Sequence, residues 1–276
     1  MKTKFLPALD PTAFAATKSA LHVYSNILGG YLKSCRPQRK HWWHASLRPS
    51  LNGLATGPVN AGIDFELELD LRNGVVLART RDGECMNEPM VGQSPIDLAE
   101  KTRDFLSHAG LEQSLIPSIE GYESGVFSEY SATQAQHIAQ AISKVSTAMR
   151  IFQAGIREES SPVQLWPHHF DLSLLWLPGG KISGEDPENE EASDKQMNFG
   201  FSLGDASIPE PYFYITAYPL SEMLSSLQMP HEAVWHSDGF NGAVLLYRSL
   251  LKKADAMDYL VKLWDNFLSA GRAYLI

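Results

Sequence analysis

The sequence predicts an α+β protein, an antiparallel sheet with helices packed against it, from three observations. Acids and hydrophobes alternate strictly from Asp64 to Leu71 and run into Asn73-Gly74, the pattern of a hairpin strand and not of a crossover to a parallel partner. Three later segments, near residues 170, 200 and 214, share that period of two. Around them, apolar residues recur at three- and four-residue spacing, as on helices that bury one stripe.

Composition bounds what such a fold can do. The 276 residues are 44% hydrophobic and 20% charged, an ordinary globular balance that excludes a largely disordered or collagen-like chain. A chain of this length makes one large domain or two small ones and buries about three quarters of its unfolded surface. Lys and Arg number 23 against 32 Asp and Glu, a formal charge of −9, which argues against a nucleic-acid partner. No apolar run reaches the roughly 20 residues that span a bilayer, so no membrane partner is expected. Two cysteines, Cys35 and Cys85, are too few for a disulfide framework or a cysteine-based zinc site. Pro7 and Asp10 interrupt the Lys-bearing N-terminus before any long apolar stretch, unlike a secretory leader. The expected setting is the cytoplasm, with both thiols reduced.

The first element is an amphipathic helix over about Pro11 to Lys33, with Phe14, Leu21, Tyr24, Ile27, Leu28 and Tyr31 on its stripe and an end near Gly29-Gly30. A basic turn, Arg36-Pro37-Gln38-Arg39-Lys40, leads to a strand over Trp42 to Arg48. The alternating strand Asp64–Leu71 then turns at Asn73-Gly74 into a return strand, Val75 to Arg81. With a two-residue loop, Arg72 pairs Val75, which sets Glu68 opposite Arg79 and Glu66 opposite Arg81. Leu69 then lies beside Ala78 on the other face. Two acids so partnered read as a solvated sheet face and not as a cation site.

Two helices follow. Ser94-Pro95 opens one that runs to Ala109. Ser131 or Thr133 opens the other, whose stripe is Ile138, Ile142, Val145, Met149 and Phe152. Strands are predicted at Gln164–Trp176, Met197–Leu203 and Tyr212–Tyr218. The acid-rich stretch from Gly179 to Gln196 makes a mobile, solvated hairpin loop, and it lacks the alternating geometry and glycine of a calcium loop. Helices at Phe240–Leu251 and from Asp255 onward close the chain, the second with Leu260, Leu263, Trp264, Phe267 and Leu268 buried. This order reads as one compact domain over residues 1–276. It is also the order of two similar halves, about 1–155 and 156–276, each a three-stranded meander with helices.

Sorting the three late strands by parity gathers the chemistry. Phe170, Leu172, Leu174, Trp176, Phe199, Phe201, Phe213 and Ile215 share one face. The other collects His169, Asp171, Asn198, Ser202, Tyr212 and Tyr214. That second face carries no Lys, Arg or Glu, unlike a merely solvated surface. Gly200 and Gly204 weaken a strand, and close approach of a ligand or another backbone is one reason to keep them.

Resemblance adds to this. Leu165-Trp166-Pro167-His168-His169-Phe170-Asp171 resembles the LWPxHFD segment of an uncharacterised family of bacterial cytoplasmic proteins. Asn198 to Asp205 is similar to that family's NxGxSxGD segment, and Pro209 to Tyr214 to its PEPYxY segment. A broader domain-of-unknown-function family is similar through Trp42 to Leu47 and Ser161 to Leu172. His168 stands where relatives carry Glu, and Tyr218 where they carry Trp. The resemblance implies candidate residues and no reaction.

Three functions fit the same face. In a ligand-binding module, Asn198, Ser202, Asp205, Glu210, Tyr212 and Tyr214 contact a small molecule. In an enzyme, a metal-assisted hydrolase for instance, His169 and Asp171 are catalytic. Two apart on a strand, they lie about 6–7 Å from each other on one face, able to share a divalent metal or to act as base and orienting group, with Asp205 and Glu210 adding oxygens. In a structural network, the same polar groups only fix strand register. The residues name no cofactor, no metal and no oligomeric state. Gly200-Phe201-Ser202-Leu203-Gly204 matches G-x-S-x-G, but a nucleophile elbow needs a strand-to-helix turn. His41-Trp42-Trp43-His44 reads first as a core Trp flanked by surface histidines and second as another wall for the same face; Trp235-His236 has the same two readings, and His22 reads as a helix-surface residue.

Overall fold

A computed structural model describes residues 5–220, 222–230 and 232–276. In chain order its elements are α1 (Pro11–Cys35), β1 (Arg48–Pro49), β2 (Gly53–Ala55), β3 (Val59–Asn60), β4 (Asp64–Asp70), β5 (Val75–Thr80) and β6 (Cys85–Pro89). Then come α2 (Pro95–His108), α3 (Ala132–Gln153), β7 (Glu159–Ser160), β8 (Gln164–Trp166) and β9 (Asp171–Leu177). The chain ends with α4 (Glu190–Ser193), β10 (Gln196–Ser202), β11 (Tyr212–Tyr218), α5 (Glu222–Ser225), β12 (Ala233–His236), β13 (Gly242–Leu246), α6 (Tyr247–Leu250) and α7 (Ala256–Leu275). The fold is α+β, with two antiparallel sheets. Among the described residues, no helix is long and apolar enough to cross a membrane.

The chain forms two compact units. One comprises Thr12–Ser143 and Leu165–Phe170; the other comprises Met1–Pro11, Lys144–Gln164 and Asp171–Ile276. Helix α3 therefore contributes its first half to one unit and its second half to the other.

The first unit holds the sheet β1-β2-β4-β5-β6, with β3 also paired to β4. Leu67, Leu69, Val76 and Ala78 are buried, as are Phe14, Leu21, Tyr24, Leu28 and Tyr31 on α1. Helix α1 does not stop at Gly29-Gly30. A Cβ on Gly29 would meet Pro167 Cγ at 2.7 Å, and one on Gly30 would meet Pro117 at 3.1 Å. These glycines admit proline rings to the helix surface; they are not a helix terminus. Ser94 caps α2 as predicted, its hydroxyl accepting from the Asp97 N–H at 3.1 Å.

Further local expectations fail in this unit. Residues 40–45 form a 3-10 turn in which His41 and Trp42 have φ of 47° and 58°, so the Trp42–Arg48 strand does not form. The hairpin closes at Asp70↔Val75 around a four-residue loop, which sets Glu66 opposite Arg79. Asp70 causes the shift. Its carboxylate accepts from the Asn73 backbone N–H at 2.9 Å and from Asn73 Nδ2 at 2.8 Å, and only Gly74 takes a positive φ. A shift of two keeps every side chain on its predicted face. Glu68 and Asp70 are buried instead of solvated; Ser50 Oγ donates to Glu68 at 2.7 Å and Asn52 Nδ2 to Asp70 at 3.1 Å.

The second unit holds the sheet β12-β13-β11-β10-β9-β7. Its apolar face buries Trp176, Phe199, Phe201 and Phe213 against Phe152 of α3 and Trp264 of α7. A Cβ on Gly271 of α7 would meet Met197 Sδ at 2.2 Å, so the helix lies close on the sheet. Gly242 to Leu246, expected within a helix, is strand β13, paired to β11 and β12. Asp255 precedes α7 but makes no side-chain cap. The acidic hairpin folds back on Lys181, whose ammonium pairs with Asp194 at 2.6 Å and donates to Ser193 Oγ at 3.0 Å.

Candidate functional site

Register decides which side chains meet. Gly200 lies opposite Ser173 on one side and Tyr214 on the other; Asn198 lies opposite Leu175 and Thr216; Ser202 lies opposite Tyr212. Directly paired residues point the same way. Asp171, Asn198, Ser202, Tyr212 and Tyr214 therefore share one face across β9, β10 and β11.

His169 does not join them. Strand β9 begins only at Asp171, and Phe170 has φ of 53°, so the two-residue period does not extend back to His169. That residue is exposed in a turn of the other compact unit, its ring 4.2 Å from that of His168. The expected His169–Asp171 pairing on one strand face is thus lost, because the predicted strand Gln164–Trp176 is two strands separated by a turn. His22 is half-buried, its ring donating to the His168 carbonyl at 3.1 Å and stacking on Phe170 at 5.9 Å.

Tyr214 organises the polar face. A Cβ on Gly200 would fall 2.0 Å from Tyr214 Cζ, so the phenol ring lies across the middle strand where that strand has no side chain. Its hydroxyl crosses to β9 and donates to Asp171 Oδ2. The close approach that Gly200 permits is made by this ring. With its one proton given to Asp171, the Tyr214 oxygen accepts from Asn198 Nδ2 at 3.5 Å. Burial, then the Asp171 charge and hydrogen bond, push the Tyr214 phenol well above its ordinary pKa. It is a hydrogen-bond donor and not a base at neutral pH. Asn198 Oδ1, turned the other way, is buried and has no hydrogen-bond partner among the described residues.

A second acid–phenol pair ends the face. The Tyr212 hydroxyl donates to Asp205 Oδ2, and burial, followed by Asp205, raises its pKa. The other Asp205 oxygen accepts from the Ser207 and Ile208 N–H groups at 2.8 and 2.9 Å. Asp205 thereby caps the turn in which Gly204 takes φ of 101°. Ser202 Oγ accepts from the Gly204 N–H at 3.0 Å. The element after Ser202 is strand β11, so no nucleophile elbow forms.

Glu210 lies apart. It pairs with Arg248 at 2.6 Å and helps line a cavity of about 260 Å³ with Leu9, Pro11, Pro211 and Tyr247. Among the described residues, no group of three or more His, Cys, Asp or Glu side chains is placed to hold a metal ion.

Sequence reasoning did not place Phe240 or His236 beside these tyrosines. The Phe240 ring stacks on Tyr212 and meets Tyr214 edge-on, both at 6.3 Å, and His236 packs on Phe240 at 4.7 Å. Reading the Gly242–Leu246 run as a strand would have made 237–241 a hairpin loop able to fold over the tyrosines.

A model of a family of unknown function, DUF5996, matches residues 6–273. None of the curated proteins and none of the solved structures compared with the chain matches it.

Proposed function

The chain belongs to DUF5996, a family of unknown function, and we propose that it binds a small polar molecule on the β9–β11 face, through Asn198, Tyr214 and the aromatic side chain of Phe240. One observation carries the reading. Asn198 Oδ1 is buried without a donor, and a buried acceptor left so costs about 1–3 kcal/mol. A hydroxyl, amine or amide N–H arriving at Asn198 removes that penalty. Tyr214 cannot supply the donor, because its proton is committed to Asp171. Asp171 acts behind Tyr214, holding the phenol in one orientation, and Phe240 offers an apolar ring beside it.

The test is ligand-detected saturation-transfer NMR against a panel of small alcohols, amines and amides, on wild type and on Asn198→Ala. A panel member that binds wild type and not the variant, with both proteins folded, supports the reading. No binder in the panel, or binders indifferent to Asn198→Ala, removes it.

A further inference from the structure

Charge is distributed unevenly along this acidic chain. From residue 11 to residue 63 there are six Lys or Arg residues and no Asp or Glu, although the whole protein carries −9. Four of the six fall within residues 33–40. There α1 ends and the 3-10 turn begins, inside one compact unit.

Among the described residues, Lys33, Arg36 and Arg39 form no ion pair with a carboxylate. Arg36 Nη2 donates only to carbonyls, those of Thr56 at 2.7 Å and Pro58 at 3.0 Å. These bonds fix the guanidinium without neutralising it. Burial, then the like charge of Arg39, lowers the Arg36 pKa. Lys33 and Arg39 are exposed. Surface cations in an acidic protein ordinarily pair with acids; among the described residues these three pair with none, and residues 11–63 hold no acid.

An aromatic side chain is held among these cations. Trp42 is 42% exposed, with Lys33 Nζ 5.5 Å from its ring centroid and the His44 ring stacked on it at 5.5 Å. His44 is itself fixed, its Nδ1 accepting from the Arg39 N–H at 3.2 Å. The turn that presents Trp42 uses two consecutive non-glycine residues in the left-handed region, at about 1–2 kcal/mol each. A tryptophan is thus kept outward at a conformational cost, beside Lys33, Arg36 and Arg39, which form no ion pair among the described residues.

We propose that Lys33, Arg36, Arg39 and Trp42 form a binding site for a phosphate group. The site is separate from the β9–β11 face and does not rest on the reading given for it. A phosphate supplies the missing negative charge and accepts from guanidinium and ammonium donors at once. The group reaches the site either as free phosphate or as the ester of a small molecule, and an ester that carries a planar ring gains contact with Trp42.

The test is calorimetric titration of the full chain, at low ionic strength, with inorganic phosphate, phenyl phosphate and phenol, on wild type and on Lys33→Gln/Arg39→Gln. Both substituted side chains are exposed, so the thermal midpoint should hold, and the midpoint is measured alongside. Saturable binding of a phosphate probe that weakens about tenfold or more in the variant supports the site. Tighter binding of phenyl phosphate assigns the ester, and equal binding assigns free phosphate. No phosphate binding, equal affinity in the variant, or phenol binding as well as phenyl phosphate overturns the proposal. So does binding of a single-stranded oligonucleotide when neither small phosphate binds.

Discussion

The ring of Tyr214 occupies the space that a side chain at Gly200 would need, the nearest approach to a built Cβ being 2.0 Å. The two residues face each other across β10 and β11, and the missing side chain on one lets the other reach Asp171. Gly200→Ala therefore forces Tyr214 off its rotamer and breaks its bond to Asp171. The expected loss is about 2–3 kcal/mol, from overpacking and a broken buried hydrogen bond, read as a lower urea midpoint at unchanged slope.

Tyr214→Phe removes the hydroxyl and leaves the ring over Gly200. Stability should fall by about 1–3 kcal/mol, the cost of withdrawing a donor from a buried carboxylate. Because burial and Asp171 hold this phenol well above the ordinary range, the ultraviolet titration of the folded protein should be the same for variant and wild type up to the ordinary tyrosine midpoint of about pH 10. A tyrosinate signal missing from the variant below that pH contradicts the assignment.

Glu158 gives a prediction in pH. Two contacts from Arg272, at 2.8 Å each, and the Trp176 indole N–H at 3.1 Å hold its carboxyl near a pKa of about 2, against an ordinary 4.5. A pKa lowered by folding adds stability that is complete above the unfolded value and is lost as pH falls toward the folded one. Wild type should lose stability between pH 4.5 and 2 through this group, and Glu158→Gln should lose less across that window. Urea midpoints at several pH values check it; parallel profiles would refute it.

Gly29→Ala sets two effects against each other. Helix propensity favours alanine by about 1 kcal/mol, while the new Cβ would sit 2.7 Å from a proline ring that cannot swing aside. Overpacking costs about 1–3 kcal/mol, so the contact prevails and net destabilisation is expected. A raised thermal midpoint would show that α1 yields to the methyl group.

Asp70→Ala removes the acceptor that shapes the β4–β5 loop. The Asn73 backbone N–H and the Asn52 and Asn73 amides lose a partner, at about 1–2 kcal/mol in all. Amide hydrogen exchange in β4 and β5 should quicken relative to α7. Uniform exchange would place the effect elsewhere.

Local pattern determined a good deal of this protein. Period two in Asp64–Asp70 and Met197–Ser202 set strands and the facing of their side chains, and the stripe from Leu260 to Leu268 set α7. These signals are legible because burial of one face acts on each residue by position alone. The common face of Asp171, Asn198, Ser202, Tyr212 and Tyr214 followed from the same parity.

Tertiary structure decided the rest, wherever a residue answers to a partner far along the chain. Gly29 reads as a helix stop until Pro167 is set against it. His169 reads as a strand residue until Phe170 turns the backbone through positive φ. Gly200 reads as room for a ligand until Tyr214 fills that room from the next strand. Spacing in sequence carries the direction of a side chain, but not the identity of what it meets, because that depends on contacts made only when distant segments pack.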